Sequence, residues 1–193
     1  MGHDPRNHDC WKNFWGSMAF AMEPHVAQNL MNSTILKSQN VEVGVLIGDD
    51  DSSTTAACRA TSSHPIVKFS DTNHASGRVT KELYKISNKR KHKELTKDGI
   101  VYLHRCFTHA MTTNKENSAA MARDIQCIPY HAFNDHSKCG TWCGIVKDQE
   151  NYDHRIIPSG FHDMELFEAL KNIFDRLAAN AEKFSAGASS NRE

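Results

Sequence analysis

The sequence predicts an α/β chain: two short strands with flanking helices, joined to a helical insertion rich in histidine and cysteine. Three observations carry this. Val41-Glu42-Val43-Gly44-Val45-Leu46-Ile47 is β-branched and nearly all apolar, as a buried strand is. Several segments repeat apolar residues at helical spacing, most clearly Met164 to Phe184 with Leu166, Leu170, Ile173, Phe174 and Leu177 on one face. Four of the histidines and cysteines fall close together as His131-x4-His136-x2-Cys139-x3-Cys143.

The elements follow in order. Residues 1–22 are polar and irregular, with His3, His8, Cys10, Trp11 and Trp15 clustered. From Glu23-Pro24 a helix is expected, Pro24 suiting its first turn and Val26, Leu30 and Met31 sharing a face. The strand at 41–47 runs into Gly48-Asp49-Asp50-Asp51-Ser52-Ser53, whose aspartates and serines supply N-cap chemistry for a short helix through Ala56, Ala57 and Cys58. His64-Pro65 punctuates, and Ile66-Val67-Lys68-Phe69 is a second strand. Ser70-Asp71 then caps a helix carrying Val79, Leu83 and Ile86. A basic run, Lys89-Arg90-Lys91-His92-Lys93, precedes an amphipathic helix from Thr96 to Met111, and a further helix lies around Ser118 to Ile125. Residues 127–160 read as a long irregular stretch, Met164 to Phe184 as one helix, and Gly187 to Glu193 as a small polar tail. The order helix–strand–helix–strand–helices belongs to α/β architecture. It divides the chain into an irregular segment 1–22, a partial α/β core 23–88, a helical insertion with a zinc loop 89–160, and a C-terminal helix and tail 161–193.

Composition limits the function classes. Lys+Arg and Asp+Glu are both 23, so no global basic excess draws nucleic acid, and any such contact rests on local patches. No stretch approaches the roughly 18 apolar residues of a membrane helix, and no apolar run follows a basic start at the N-terminus. Six cysteines in a chain without a secretory signal read as free thiols or metal ligands, in a reducing compartment.

Two clusters carry chemistry. Asp49, Asp50 and Asp51 sit at the carboxyl end of an apolar strand, where open α/β sheets bind ligands. Adjacent carboxylates repel, and a divalent cation relieves that. The plainer reading is a solvated turn whose aspartates cap a helix. Thiolates and imidazoles at the spacing of His131, His136, Cys139 and Cys143 can close a tetrahedral Zn2+ site within one loop, and a metal would explain how so long an irregular segment stays ordered. A chance grouping in a histidine-rich chain is the alternative. Four protein ligands leave no open position, which argues against a catalytic zinc.

Several strings resemble the core of the Mutator-like transposases of animals. They are His8-Asp9-Cys10 with Lys12-Asn13, Ala21-Met22-Glu23-Pro24, Val45 to Thr54, and Ser70-Asp71-Thr72-Asn73-His74. His131 to His136, Cys139-Gly140, Trp142-Cys143-Gly144, Leu177 to Lys183, and Ser189-Ser190-Asn191-Arg192-Glu193 complete the set, in the family's order. The resemblance implies an RNase H-like core with an Asp-Asp-Glu triad binding two Mg2+ ions for phosphodiester attack. Asp49 matches the second catalytic aspartate, with Asp51 as the alternative registration. Asp71 and His74 match a block that orients the site, and Glu193 matches the catalytic glutamate. By this reading Asp49 and Glu193 are the Mg2+ ligands present. The family's first aspartate lies upstream of everything here, so the expectation is an incomplete core, a fragment or degenerate copy inactive by itself. The partners implied are transposon-end DNA and, through the unpaired apolar strand edge, self-association or a full-length transposase. The location implied is the nucleus. The alternative is a domesticated, zinc-stabilised module that binds DNA or protein.

Overall fold

In the computed structural model the described residues are 19–49, 51–87, 91–150, 152 and 156–186. The expectations for His3, His8, Cys10, Trp11, Trp15, Asp50, Lys89, Arg90, Glu193 and the Gly187–Glu193 tail therefore lie outside them. The chain forms two compact units, residues 1–46 with 51–67, and residues 47–50 with 68–193. The architecture is mixed α/β and mostly helical.

In the first unit, α1 (Ala19–Met31) packs on α3 (Ser52–Thr61), and the Gln28 amide donates to the Ala57 carbonyl at 3.1 Å. A short helix α2 (Thr34–Ser38) begins at Ser33, whose hydroxyl accepts from the Ile35 N–H. The helix expected from Glu23 starts earlier, because Ala19, Ala21 and Met22 are good helix formers. Pro24 consequently lies inside α1 and removes a backbone donor there.

Strands β1 (Val45–Gly48) and β2 (Val67–Ser70) form a two-stranded parallel sheet. The strand expected at 41–47 is shorter at its start and one residue longer at its end. Its partner sets that length: Pro65 stands just before β2 and the helix cap at Asp71 ends it, so residues before Gly44 have no ladder to join. The expectation of a largely buried strand is corrected too, since Val41 and Val45 are 51% and 49% exposed. A two-stranded ladder has no interior strand to enclose.

The second unit is helical: α4 (Thr72–Ser87), α5 (Lys97–Thr113), α6 (Ser118–Ala132), α7 (Gly144–Lys147), α8 (Met164–Ala178) and α9 (Ala181–Phe184). α6 packs against α5, α8 and α9, while α4 packs against α5 and α8. Leu83, Leu103, Phe107, Met121, Ile125, Leu170 and Phe174 form the centre of one core. Each long helix here begins on a side-chain cap. Thr96 accepts from Gly99 N–H, Asn117 from Ala120 N–H, and Asp163 from Glu165 and Leu166 N–H. Two expectations change. The single helix Met164–Phe184 is interrupted at Ala179-Asn180, yet Ala178, Ala181 and Phe184 all stay buried, so the apolar face continues across the break. The irregular stretch begins after Ala132 rather than at residue 127, because Met121, Ile125, Ile128 and Ala132 extend the buried face of α6.

Candidate metal centre

The end of α6 builds the site. Asn134 takes a left-handed conformation (φ 62°), which suits asparagine just past a helix terminus. Around it the Asp135 N–H donates to the Tyr130 carbonyl at 3.0 Å and the Asn134 N–H to the His131 carbonyl at 3.2 Å, closing the helix. The chain thereby reverses, and His136 returns to His131 in the last turn of α6. Cys139 follows, its N–H donating to the His136 carbonyl at 3.1 Å, and Cys143 closes a turn onto the Gly140 carbonyl at 3.1 Å.

Four donor atoms converge. The Nδ1 atoms of His131 and His136 are 3.0 Å apart. Cys139 Sγ lies 3.4 and 3.8 Å from those two nitrogens, and Cys143 Sγ lies 3.6 and 3.4 Å from them. All four atoms fall within 4.8 Å of one another. Zinc–sulfur and zinc–nitrogen bond lengths put the edges of a tetrahedron at roughly 3.3–3.8 Å. The donor set therefore fits Zn2+, as two imidazoles and two thiols at nearly tetrahedral separations. Bound thiols lose their protons, and two thiolates neutralise a dication, so such a centre carries no net charge into its buried surroundings.

The far nitrogens are also engaged. His131 Nε2 meets the Tyr102 hydroxyl at 2.5 Å, and His136 Nε2 meets Asn134 Oδ1 at 3.1 Å. With Nε2–H donating to these oxygens, each Nδ1 keeps its lone pair for the cluster, which is how outer partners fix metal-binding imidazoles. His131 and Cys143 are buried, His136 and Cys139 half-buried. The Trp142 ring lies 4.9 Å from that of His131, and its indole N–H is buried without a hydrogen-bond partner among the described residues. A Cβ on Gly144 would stand 2.1 Å from the Tyr152 ring, so glycine is what admits Tyr152 beside the loop.

Without a cation the neutral forms prevail. The contact with Cys127 and burial push the Cys139 thiol up, burial pushes Cys106 up to about 12, and burial pushes His136 down. Burial raises Tyr102 strongly, leaving its hydroxyl neutral beside His131.

The carboxylates behave differently. Asp49 is exposed in the turn after β1. Asp51 caps α3, accepting from the Ser53 and Thr54 N–H groups at 3.1 and 2.9 Å and from both hydroxyls. The Thr54 hydroxyl, then its N–H, hold this carboxyl well below the usual range. Asp71, fully buried, caps α4 through the Asn73 and His74 N–H groups at 2.7 and 3.2 Å, while the His74 side chain is exposed. The Asp71 N–H donates to the Gly48 carbonyl at 2.7 Å, so Asp49 and Asp71 open adjacent turns at the carboxyl ends of paired strands. Among the described residues the one group of three or more His, Cys, Asp or Glu able to hold an ion is His131, His136, Cys139 and Cys143. In the basic run, Lys91 pairs with Glu165 at 2.5 Å and buried His92 bonds Asp163 at 2.9 Å.

Sequence reasoning missed Tyr102, Asn134 as a histidine partner, Lys68, whose Nζ lies 3.1 Å from where a Gly48 Cβ would stand, and Cys127. Cys127 and His131 are four residues apart on α6, a same-face signal lost once the stretch from 127 is read as irregular.

A family model for the Mutator-like transposases matches residues 1–143, which include Asp49, Asp71, His74 and all four candidate zinc ligands, while Glu193 lies beyond the match. No curated protein and no solved structure matches the chain. The match spans well over half of the sequence and its end coincides with the last candidate ligand, Cys143: this chain belongs to the Mutator-like transposase family.

Proposed function

We propose that the chain serves DNA transposition as part of a metal-dependent strand-cleaving and strand-transferring enzyme. In this reading residues 23–88 contribute part of an RNase H-like core, and residues 89–160 form a helical insertion fastened by structural Zn2+. One observation carries it: Asp49 and Asp71 open adjacent turns at the carboxyl ends of parallel strands, in a chain whose family match covers both. Asp49 is the metal-binding aspartate, because Asp51 is committed to the start of α3. Asp71 fixes the first turn of α4 and His74 orients the site. Glu193 completes the family's carboxylate set. Mg2+ held by Asp49 and Glu193 would supply activation of a water or 3′-hydroxyl and stabilisation of the leaving oxygen.

The chain by itself is inactive in this proposal, since among the described residues Asp51 and Asp71 act as helix caps, and Asp49 with Glu193 does not hold two ions in place. A full-length family transposase or a second copy supplies a further carboxylate at transposon-end DNA in the nucleus. The test is Mg2+-dependent cleavage of nicked or branched DNA by the purified chain, alone and mixed with a full-length family transposase. No cleavage alone and altered cleavage in the mixture support the proposal. Cleavage by the chain alone, abolished by Asp49→Ala, contradicts the inactivity.

A second reading is favoured by the completeness of the His/Cys set: a zinc-stabilised module that binds DNA or protein without cleaving. It predicts zinc-dependent DNA binding and no effect on the transposase in the mixture.

A further inference from the structure

Cys127 stands outside the four-ligand set, yet its Sγ is 3.3 Å from Cys139 Sγ, in direct contact with that residue. Cys127 is buried against the protein but lines one wall of a cavity of about 690 Å³, whose rim includes Arg123 and Lys138. A small polar oxidant entering that cavity comes up against Cys127. The two sulfurs need to close by little more than 1 Å to reach the roughly 2.05 Å of a disulfide. Cys127 is held on α6, whereas Cys139 sits in the loop before Gly140.

We infer that Cys127 and Cys139 form a peroxide-responsive pair whose disulfide expels the metal from the His131–Cys143 loop. The inference rests on the zinc reading of that loop. The Cys127 sulfur attacks one peroxide oxygen, the O–O bond breaks, and Cys127 becomes a sulfenic acid with release of water. The Cys139 sulfur then attacks the Cys127 sulfur with the electron pair that held the metal. The S–O bond breaks, and the departing hydroxide takes a proton from solvent to give a second water. Two electrons pass from the two sulfurs to the peroxide. The remaining set, His131, His136 and Cys143, is one thiolate short of charge neutrality and of a closed tetrahedron.

The experiment treats the zinc-loaded full chain with hydrogen peroxide while a chromogenic chelator follows released zinc, and maps crosslinks by peptide mass spectrometry without reduction. Cys127→Ala and Cys127→Ser are run alongside, and both should load zinc like the parent because Cys127 is not a ligand. The expected result is a Cys127–Cys139 crosslink in step with zinc release. In either variant the crosslink is absent and release slows at least about tenfold, reflecting loss of an intramolecular partner held in contact. A Cys139–Cys143 crosslink in the zinc-loaded chain, or release at the parent rate in both variants, overturns the inference and leaves the zinc reading intact. A purified chain that takes up no zinc instead removes the zinc reading, and metal expulsion with it.

Discussion

The loop from His131 to Cys143 and the turns at Asp49–Asp51 and Asp71–His74 both gather groups that bind metals, and they use them in opposite ways. In the loop the four donor atoms lie within 4.8 Å of one another, and backbone and side chains around them serve to aim them. In the turns the carboxylates of Asp51 and Asp71 face backbone N–H groups of the helices they begin. A thiol or a second imidazole caps a helix poorly, so a convergence of them suits a metal better than a helix end. An aspartate does both jobs, and here the helix has taken two of them. The residue type thus says less about function than the partner its lone pairs are pointed at.

The comparison breaks or sharpens by measurement, and the largest effect should come from the loop. Cys143→Ala should abolish zinc binding and cost about 3 kcal/mol, lowering the melting temperature by roughly 6–12 °C, because metal binding is folding energy in such a loop. Calorimetry with and without chelator checks this, and equal curves for variant and parent would remove the loop's structural role. Gly160→Ala comes next. Gly160 has φ 77°, and a Cβ there would lie 2.8 Å from Asn134 N and 2.9 Å from the Phe133 carbonyl carbon. The expected cost is about 2 kcal/mol by urea unfolding, together with weaker zinc binding, since the same segment seats the partner of His136.

Tyr102→Phe should leave the fold in place and weaken zinc affinity about tenfold, read by chelator competition, because it frees the far nitrogen of His131. In the turns, Asp51→Ala should cost about 1 kcal/mol, seen as roughly fivefold less hydrogen-exchange protection in α3. Asp49→Ala should change protection by less than about 0.5 kcal/mol. Equal effects of the two substitutions would erase the distinction between capping and presented carboxylates.

The smallest effect is a pH dependence. The His92 bond, before other causes, depresses the Asp163 carboxyl below its usual value. A group lowered on folding stabilises above its unfolded pKa, near 3.9, and loses that contribution as pH falls through the folded value. Unfolding midpoints of the parent should therefore drop below pH 4 more steeply than those of Asp163→Asn. Parallel curves would mean that this bond contributes nothing.

Much of the helical unit was legible because burial leaves a period. Val79, Leu83 and Ile86, or Leu166, Leu170 and Ile173, sit at spacings that a helix face satisfies and a strand face does not. The group able to hold a metal was legible for a related reason, since its thiols and imidazoles fall at short spacing in the sequence. The start and burial of β1 were not. Strand length depends on a partner, and Pro65 and Asp71 limit β2 to four residues whatever the sequence of β1 prefers. Cys127 and Tyr102 were hidden as well: one belongs to a helix that outruns its expected end, and the other reaches the loop from α5, a long-range contact that no spacing records.

The central claim is that His131, His136, Cys139 and Cys143 bind one zinc ion as a closed tetrahedral centre. Replacing zinc by Co2+ tests it most directly, because cobalt absorption reports coordination number and thiolate ligation. The account predicts one equivalent of metal, intense visible bands of a four-coordinate ion, and sulfur-to-cobalt charge transfer that is lost in Cys139→Ala. Weak bands of a six-coordinate ion, or a Cys139→Ala spectrum identical to that of the parent, would contradict it.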